Sequence, residues 1–501
     1  MNEAVLPKVA IVGGGIAGLA AAFFLRDEPA TVTVLEGSPR VGGKLSASEV
    51  AGIGVDEGAE ALLARRPEGT RLIRAVGLAG DLCEPGTTTA GLWTRGELRP
   101  LPARQFMGVP ADFGELARSG VLSAEGLARA RQDADLPATP RAGDVSVASY
   151  LGARFGPELV DRLVDPLLGG VYAGRSDELS YEATLPALAE ESRKHSSLAA
   201  AAAALLPPAA AGSGAAAGSG AAAGGQPGAA AAPSQTGRRA STFTTLAGGL
   251  GALPPAVAAA SGAQVRTGVM VRALARTATG WRLICGSAHA PEQIDADAVV
   301  LAVPARPAGR LLAGIEGTGV AAAALASIPY ASMAIVTFAY PAEAFPRPPE
   351  GSGYLVPAVD GRPVKAVTFS TVKWPHLRSA APGLLVVRCS LGRIGEEALL
   401  QRDDRELAAL AASDLAAATG VRGTPAATRV TRWGGALPQY TVGHRDRVAT
   451  IRAAVTAQPG LAVCGAAYDG LGIPACIASA ATAASQVAAY LRERAAARPG
   501  G

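Results

Sequence analysis

The stretch VAIVGGGIAGLAAAFFL, Val9 to Leu25, contains no charged side chain, and two readings compete for it. As a signal peptide or membrane anchor it is weak. The flank MNEAVLPK offers one Lys and one Glu instead of a basic region. The length sits at the lower edge of what spans a bilayer, and Gly13, Gly14, Gly15 and Gly18 crowd the place where such a helix must be continuous. The other reading uses those glycines. Val9–Val12 forms a short buried strand, and Ile16 to Arg26 forms a helix. Between them Gly13-x-Gly15-x-x-Gly18 supplies a tight turn, a close backbone approach to a pyrophosphate, and close helix–strand packing. The helix start presents free N–H groups to the phosphates. A second strand, Thr31 to Leu35, ends at Glu36, where an acid accepts hydrogen bonds from ribose hydroxyls. Strand, glycine turn, helix, strand and acid occur in order, which predicts a dinucleotide cradle with Gly13, Gly14, Gly15, Ile16, Ala17, Gly18 and Glu36 in contact with the nucleotide.

The next residues, Glu36-Gly37-Ser38-Pro39-Arg40-Val41-Gly42-Gly43-Lys44, resemble the second glycine motif of flavoproteins of the amine oxidase and glutathione reductase type. Side chains at those glycines would keep the chain from lying against a cofactor. A plain turn is the alternative for Gly42-Gly43. At the far end, Gly460 to Cys464 reads as a buried strand, Gly465 to Gly472 as a glycine-rich turn, and Pro474 to Leu491 as an alanine-rich helix. The segment Asp295 to Pro304 reads as one more parallel-type strand. Both ends of the chain would then close on one cofactor, so the nucleotide-binding domain is discontinuous in sequence.

Composition narrows the function classes. At 501 residues two or three domains are expected. A net charge of +4 is too small and dispersed for a nucleic-acid binder. The five cysteines include no C-x-x-C pair and the four histidines show no metal-ligand spacing, so a reduced cytoplasmic protein without a metal site is expected.

Between the cradle segments the pattern changes twice. Residues 111–198 read as a helical domain. The recurrence in Tyr150-Leu151, Phe155, Leu159-Val160, Leu163-Val164 and Leu167-Leu168 is that of an amphipathic helix or two in succession. That face is either the core of the domain or a surface resting on a membrane; the polar side is not rich in Lys or Arg. Residues 199–240 are low in complexity, with almost no charge or large side chains, and read as a disordered insert. Residues 311–430 carry short apolar runs, among them Ala334–Tyr340, Val364–Ser370 and Leu384–Ser390, expected to pair as an antiparallel sheet. The fold class is α/β: a Rossmann-type domain built from 1–78, 243–310 and 431–496, a β-sheet substrate domain from 79–110 and 311–430, and the helical domain.

Four further segments make a resemblance specific. They are Asp165-Pro-Leu-Leu-Gly-Gly-Val-Tyr-Ala-Gly174 continuing to Ser180, Phe243-Thr-Thr-Leu-Ala-Gly-Gly-Leu250, Arg432-Trp433…Pro438-Gln-Tyr440…Gly443-His444, and Gly465-Ala-Ala-Tyr-Asp-Gly-Leu-Gly-Ile-Pro-Ala-Cys-Ile477. Together they resemble the porphyrinogen oxidases of haem synthesis, in particular the bacterial coproporphyrinogen III oxidase branch. The resemblance covers nearly all of the chain except 199–240. Two places depart from it. Asp56–Glu60 stands where relatives have E-x-G-P-[DN]-S, and the position near Ala90 lacks the arginine that plant and animal relatives carry there.

The resemblance implies FAD, with Gly13 to Gly18 on the pyrophosphate, Glu36 and Gly37 at the ribose, and Lys44, Glu57, Gly58, Ala59 and Glu60 along the cofactor. Val271 would lie at the adenine side; Ala466, Leu471, Gly472 and Ile473 at the isoalloxazine side. Gly170 and Val171 would touch the macrocycle. A tetra- or dicarboxylate substrate calls for cations, preferably Arg; Arg65 is the first choice, with Arg66 beside it, although either could be a solvated surface residue. Tyr440 and His444 are pocket residues or core. The implied reaction removes six electrons from a porphyrinogen, two at a time, with dioxygen as acceptor and hydrogen peroxide as product. No side chain is then required as a strong base, because aromatisation drives the reaction and the cofactor carries the chemistry. Protoporphyrinogen IX is the alternative substrate, and a ferrochelatase is the partner to which product would pass. More distant alternatives are an amine oxidase-type enzyme, many of which hold a water with a lysine (here Lys365 or Lys373), a carotenoid desaturase, and a non-catalytic FAD-binding factor.

Overall fold

The computed structural model of the chain describes residues 6–137, 139, 143–207 and 241–497. At its centre lies a five-stranded sheet in the order Gln264–Arg266, Thr31–Leu35, Lys8–Val12, Ala298–Leu301, Leu461–Val463. Every pairing in it is parallel. Strands of a parallel sheet are covered on both faces and therefore read as unbroken apolar runs, which is why Val9–Val12 carries no polar residue. Alternate residues serve opposite faces. Val9 and Ile11 join the core under the helices Ile16–Phe24 and Ile473–Ala496. Ala10 and Val12 join the core on the other face, under the helices Ala305–Leu312, Gly319–Ala326 and His444–Thr456. Alanine dominates the two covering helices of the first face, so they lie close to the sheet and to each other.

The expected strand 295–304 is divided between two sheets. Pro291–Ala296 closes an antiparallel three-stranded meander with Val271–Arg276 and Trp281–Gly286, and Ala298–Leu301 alone enters the parallel sheet. Asp297 is the corner: its carboxylate accepts the Lys8 N–H and pairs with Arg494.

A second sheet of seven strands runs in the order Ala427–Pro438, Tyr330–Pro341, Leu384–Leu391, Val364–Phe369, Gly353–Leu355, Gly91–Thr94, Glu97–Pro100. It is antiparallel as expected, apart from the parallel pair Gly353–Leu355 with Gly91–Thr94. Three expected boundaries shift. The strand Ala427–Pro438 belongs wholly to this sheet, so the last nucleotide-domain piece begins after Pro438 and not at 431. Helix Gly319–Ala326 packs on the nucleotide-domain core, so that domain extends past 310. Within 79–110, Leu82–Cys83 pairs with Phe243–Leu246, while Phe106, Met107 and Val109 join the helical core.

In the helical domain every residue of the 150–168 stripe named above is buried, with Leu151, Leu159, Leu163, Val164 and Leu168 at 2% exposure or less. The stripe is the domain core and presents no face to a membrane, which corrects the membrane-surface reading. The helices are cut short by polar starts: Asp112, Ser123, Ser146, Ser180 and Ser197 each accept an N–H from the first turn that follows. The last of these caps helix Leu198–Ala204, whose Ala201 and Ala202 are fully buried. The start of the low-complexity segment is therefore ordered, contrary to expectation; its residues 208–240 lie outside the described residues. No helix among the described residues is long and apolar enough to cross a membrane.

Candidate cofactor and substrate site

The glycine turn at the carboxyl end of the first strand shows the three separate demands on its glycines. Gly13 sits at φ +109°, and a Cβ there would lie 2.6 Å from the Ala302 carbonyl oxygen. A Cβ on Gly18 would lie 1.9 Å from the Gly13 carbonyl oxygen, so only glycine lets the helix rest on the turn. A Cβ on Gly15 would meet nothing within 4 Å, because that glycine faces the open cradle. Gly15 is also the cap of helix Ile16–Phe24, and no side chain satisfies its first N–H groups, which suits an anion. Glu36 stands at the end of the second strand and accepts N–H bonds from Gly14 (2.6 Å) and Ser38 (2.7 Å). Its own backbone oxygen accepts the Val269 N–H, and a Cβ on Gly37 would touch Met270 at 2.7 Å. The strand opening at Val271 is thus brought to the Glu36 end.

The second glycine motif folds back onto the first, Gly42 donating its N–H to the Gly14 carbonyl. Lys44 follows it, half-buried and without a carboxylate partner among the described residues. Burial holds its ammonium below the ordinary lysine range, an effect that the nearby Cys476 thiol partly offsets. Gly58 brings the 56–60 turn against Lys44; a Cβ there would lie 1.9 Å from the Lys44 carbonyl oxygen.

The carboxylates of that turn do not face the cradle freely. Glu57 accepts from Arg429 Nε (2.6 Å) and Ser46 Oγ (3.0 Å), and its carbonyl accepts from Trp433 Nε1. Glu60 pairs with Lys373 Nζ (2.6 Å) and with Arg388. The side chains of Glu57 and Glu60, expected along a cofactor, are thus committed to ion pairs. Burial alone would raise the Glu60 carboxyl, but Lys373 and Arg388 overcome it and hold it at about 2. Asp56 is pushed up to about 6 by burial, against the N–H groups of Leu250 and Gly251 that it accepts.

The C-terminal turn closes the cradle. A Cβ on Gly465 would lie 3.8 Å from Ala17 Cβ, and helix Ile473–Ala496 starts at Gly472 with no side-chain cap. Ala466 and Ile473 pack on the nucleotide-domain core while Leu471 packs on the helical core, so the turn straddles two domains. Across from it, helix Asp165–Tyr172 ends at the seven-stranded sheet. Gly170 is exposed there, and a Cβ on it would lie 3.3 Å from Leu355 Cδ2; Val171 is half-buried beside it. The next residue but one, Ala173, holds φ +50°, an uncommon conformation for a residue with a Cβ.

The two neighbouring arginines separate. Arg66 is engaged by Glu68 at 2.8 Å, whereas Arg65 is exposed and has no acidic partner among the described residues. Although the residue reaches solvent, partial desolvation of its guanidinium, and then the adjacent Arg66, hold it below its ordinary value. Arg388 escaped the sequence reading, and nothing local marked it; Lys373 was weighed there only as an amine-oxidase lysine, and Trp433 only as part of the RW…PQY…GH segment, neither as a partner of the 57–60 turn. A separate cleft of about 740 Å³ opens between the helical domain and helix His444–Thr456, but it touches none of the expected site residues and its Arg193, His195 and Arg445 pair with Glu182 or Glu191.

Comparison with known proteins places this geometry among flavoproteins. The family model of flavin-containing amine oxidoreductases matches residues 16–488. A coproporphyrinogen III oxidase of Propionibacterium freudenreichii is 36% identical, the alignment covering 95% of this chain and 90% of the relative. One of Bacillus subtilis is 30% identical over 96% of this chain and 98% of the relative. A crystal structure from Exiguobacterium sp. 255-15, of a protein provisionally assigned as a protoporphyrinogen oxidase, superposes with a TM-score of 0.80 at 29% identity over 96% of this chain and 99% of that one.

Proposed function

This chain belongs to the flavin-containing amine oxidoreductase family and, within it, to the coproporphyrinogen III oxidases, and from that premise we propose that it oxidises coproporphyrinogen III to coproporphyrin III with dioxygen as acceptor. It is an oxidoreductase whose cofactor is FAD. The residues fit that cofactor: an uncapped helix start beside an open Gly15, a Lys44 without a carboxylate partner among the described residues, and a second uncapped helix start at Gly472.

In this reading Gly13 to Gly18 receive the pyrophosphate, Glu36 with Gly37 the ribose, and Val271 the adenine side. Lys44 and the backbone of 57–60 run along the cofactor, and Ala466, Leu471, Gly472 and Ile473 meet the isoalloxazine. Bound FAD supplies a two-electron acceptor, used three times per porphyrin, each round ending in one hydrogen peroxide. The protein's part is to hold the macrocycle against that ring and to keep water away. Gly170 and Val171 offer a close backbone approach on one side, and Arg65 offers an unpaired cation for a propionate. No side-chain base is called for. His444 is neutral, held at about 4 by burial. The two lysines that would suit an amine oxidase are both committed: Lys365 Nζ donates to the Gly392 carbonyl at 2.7 Å, and Lys373 is bound to Glu60. The observation that carries the substrate assignment is full-length relatedness to coproporphyrinogen III oxidases joined to an unpaired Arg65. The proposed setting is the cytoplasm, with product passing to a ferrochelatase.

The test follows porphyrin fluorescence and hydrogen peroxide with coproporphyrinogen III and protoporphyrinogen IX in parallel. Preference for the first is expected; preference for the second would overturn the substrate, and turnover of neither by the FAD-loaded protein would overturn the reaction. Arg65→Ala is expected to raise KM for coproporphyrinogen III about ten-fold with kcat nearly unchanged, the loss of one charge-assisted contact.

A further inference from the structure

The turn Gly465–Gly472 carries three residues of the isoalloxazine side, Ala466, Leu471 and Gly472, yet most of its length is irregular backbone. Two of its carbonyls are held by side chains from the PQY…GH segment. Tyr440, 2% exposed, donates its phenol O–H to the Ala466 carbonyl at 2.6 Å. His444, 1% exposed, places Nε2 3.2 Å from the Tyr468 carbonyl. A carbonyl only accepts, so Nε2 carries the proton, and the buried Nδ1 has no hydrogen-bond partner. The two rings stack, with centroids 3.9 Å apart and 13° between planes.

Tyr440 also meets Tyr172, ring centroids 5.6 Å apart and the planes tilted by 59°. Tyr172 is the residue after Val171, at the end of the helix assigned to the macrocycle. Gln439 reinforces the junction, its Nε2 donating to the Tyr172 carbonyl at 2.7 Å, and the Ser180 N–H donates to the Tyr440 carbonyl at 2.7 Å. A continuous run of ring contacts, Tyr172 tilted against Tyr440 and Tyr440 stacked on His444, thus spans from the substrate helix to the cofactor turn.

We infer that Tyr440 and His444 are positioning residues, which fix the turn Gly465–Gly472 at a set distance from the end of helix Asp165–Tyr172 and so set the gap between flavin and macrocycle. The inference rests on the FAD placement proposed above. Neither residue touches the reacting atoms; both act through Ala466 and Tyr468, so neither is a pocket residue nor mere core filling.

The test uses the FAD-loaded full chain. Tyr440→Phe keeps the stacked ring and removes the hydrogen bond. His444→Gln keeps an amide that can donate to Tyr468, and His444→Leu does not. Tyr440→Phe and His444→Leu are expected to retain FAD but to change the visible circular dichroism and the midpoint potential of the flavin. Both should lower kcat roughly five- to ten-fold with KM within about two-fold, the signature of lost positioning as opposed to lost binding. His444→Gln should recover most of both. Tyr354→Phe is the control: its buried hydroxyl in the other sheet has no hydrogen-bond partner, and it should leave flavin spectrum and kcat unchanged. Wild-type spectrum, potential and kcat in Tyr440→Phe would overturn the inference, as would identical behaviour of His444→Gln and His444→Leu. A wild-type chain without FAD would instead overturn the cofactor placement beneath it.

Discussion

A single methyl group is enough to test the cradle. At Gly18 the nearest atom to an added Cβ is the Gly13 carbonyl oxygen, 1.9 Å away, part of a backbone fixed by the Gly13 N–H bond to Leu35 and unable to step aside. Gly18→Ala must push helix Ile16–Phe24 off the turn, moving the uncapped N–H groups from the place of the pyrophosphate. The expected outcome is a chain that purifies colourless, or holds FAD at least about ten-fold more weakly, read by flavin absorbance after gel filtration. Gly15→Ala adds its methyl to open space, so its loss of FAD should come without loss of apoprotein stability. The same scale shows what sequence spacing reveals and what it misses. The turn at Gly13 to Gly18 was legible because its backbone geometry lies within one strand–turn–helix unit. The fates of Glu57, Glu60 and Arg66 were not, since a carboxylate or guanidinium is defined by its partner, and those partners lie far off in the chain or depend on a rotamer.

At the scale of elements, the start of the low-complexity segment is the clearest case. Ser197 caps helix Leu198–Ala204, and the Asp133 carboxylate accepts the Ser197 hydroxyl (2.7 Å) and the Ala199 N–H (2.9 Å). Asp133 is itself fully buried against Arg154, whose remaining donors reach the carbonyls of Asp133, Pro137 and Ser196. Removing the arginine leaves a buried, uncompensated carboxylate at a helix start. Arg154→Met is therefore expected to cost on the order of 3–5 kcal/mol, measured by denaturant unfolding, with the flavin spectrum of the protein that remains folded unchanged. Alanine's helix propensity and the serine cap were present in the sequence, but seven residues are too few to hold a helix without the contacts that bury Ala201 and Ala202. The opposite case is the stripe from Tyr150 to Leu168, whose periodicity announced helices correctly and left open what they faced. Its regularity is also interrupted: Val160–Val164 is a wider turn, two residues before Pro166, which cannot donate to the preceding turn.

The whole molecule is joined at Glu60. This carboxylate, on a turn of the nucleotide domain, takes Arg388 from the seven-stranded sheet and Lys373 from the short helix Ser370–Lys373. Its carboxyl lies at about 2 in the folded protein against an ordinary 4.5, so the folded state binds fewer protons than the unfolded one. The stability it contributes is complete above pH 4.5 and disappears as pH falls toward 2. Asp56, raised from 3.8 to about 6, works in the opposite direction between those values, which makes the comparison with a variant necessary. Glu60→Gln is expected to lower the melting temperature at neutral pH and to lose less stability than wild type between pH 4.5 and 2, followed by thermal unfolding; parallel curves would place the contribution elsewhere. The sequence by itself determined the nucleotide domain, its two-ended construction and its glycine turns, because parallel strands, glycine turns and helix starts are written in runs of adjacent residues. It also determined that an antiparallel sheet and a helical core lie between the two ends. Only the tertiary structure decided where the domains divide, which of Arg65 and Arg66 lacks an acidic partner among the described residues, and that Tyr440 and His444 hold the Ala466 and Tyr468 carbonyls. Each of those depends on atoms distant in the chain being brought within hydrogen-bonding distance, and periodicity carries no information about such pairs.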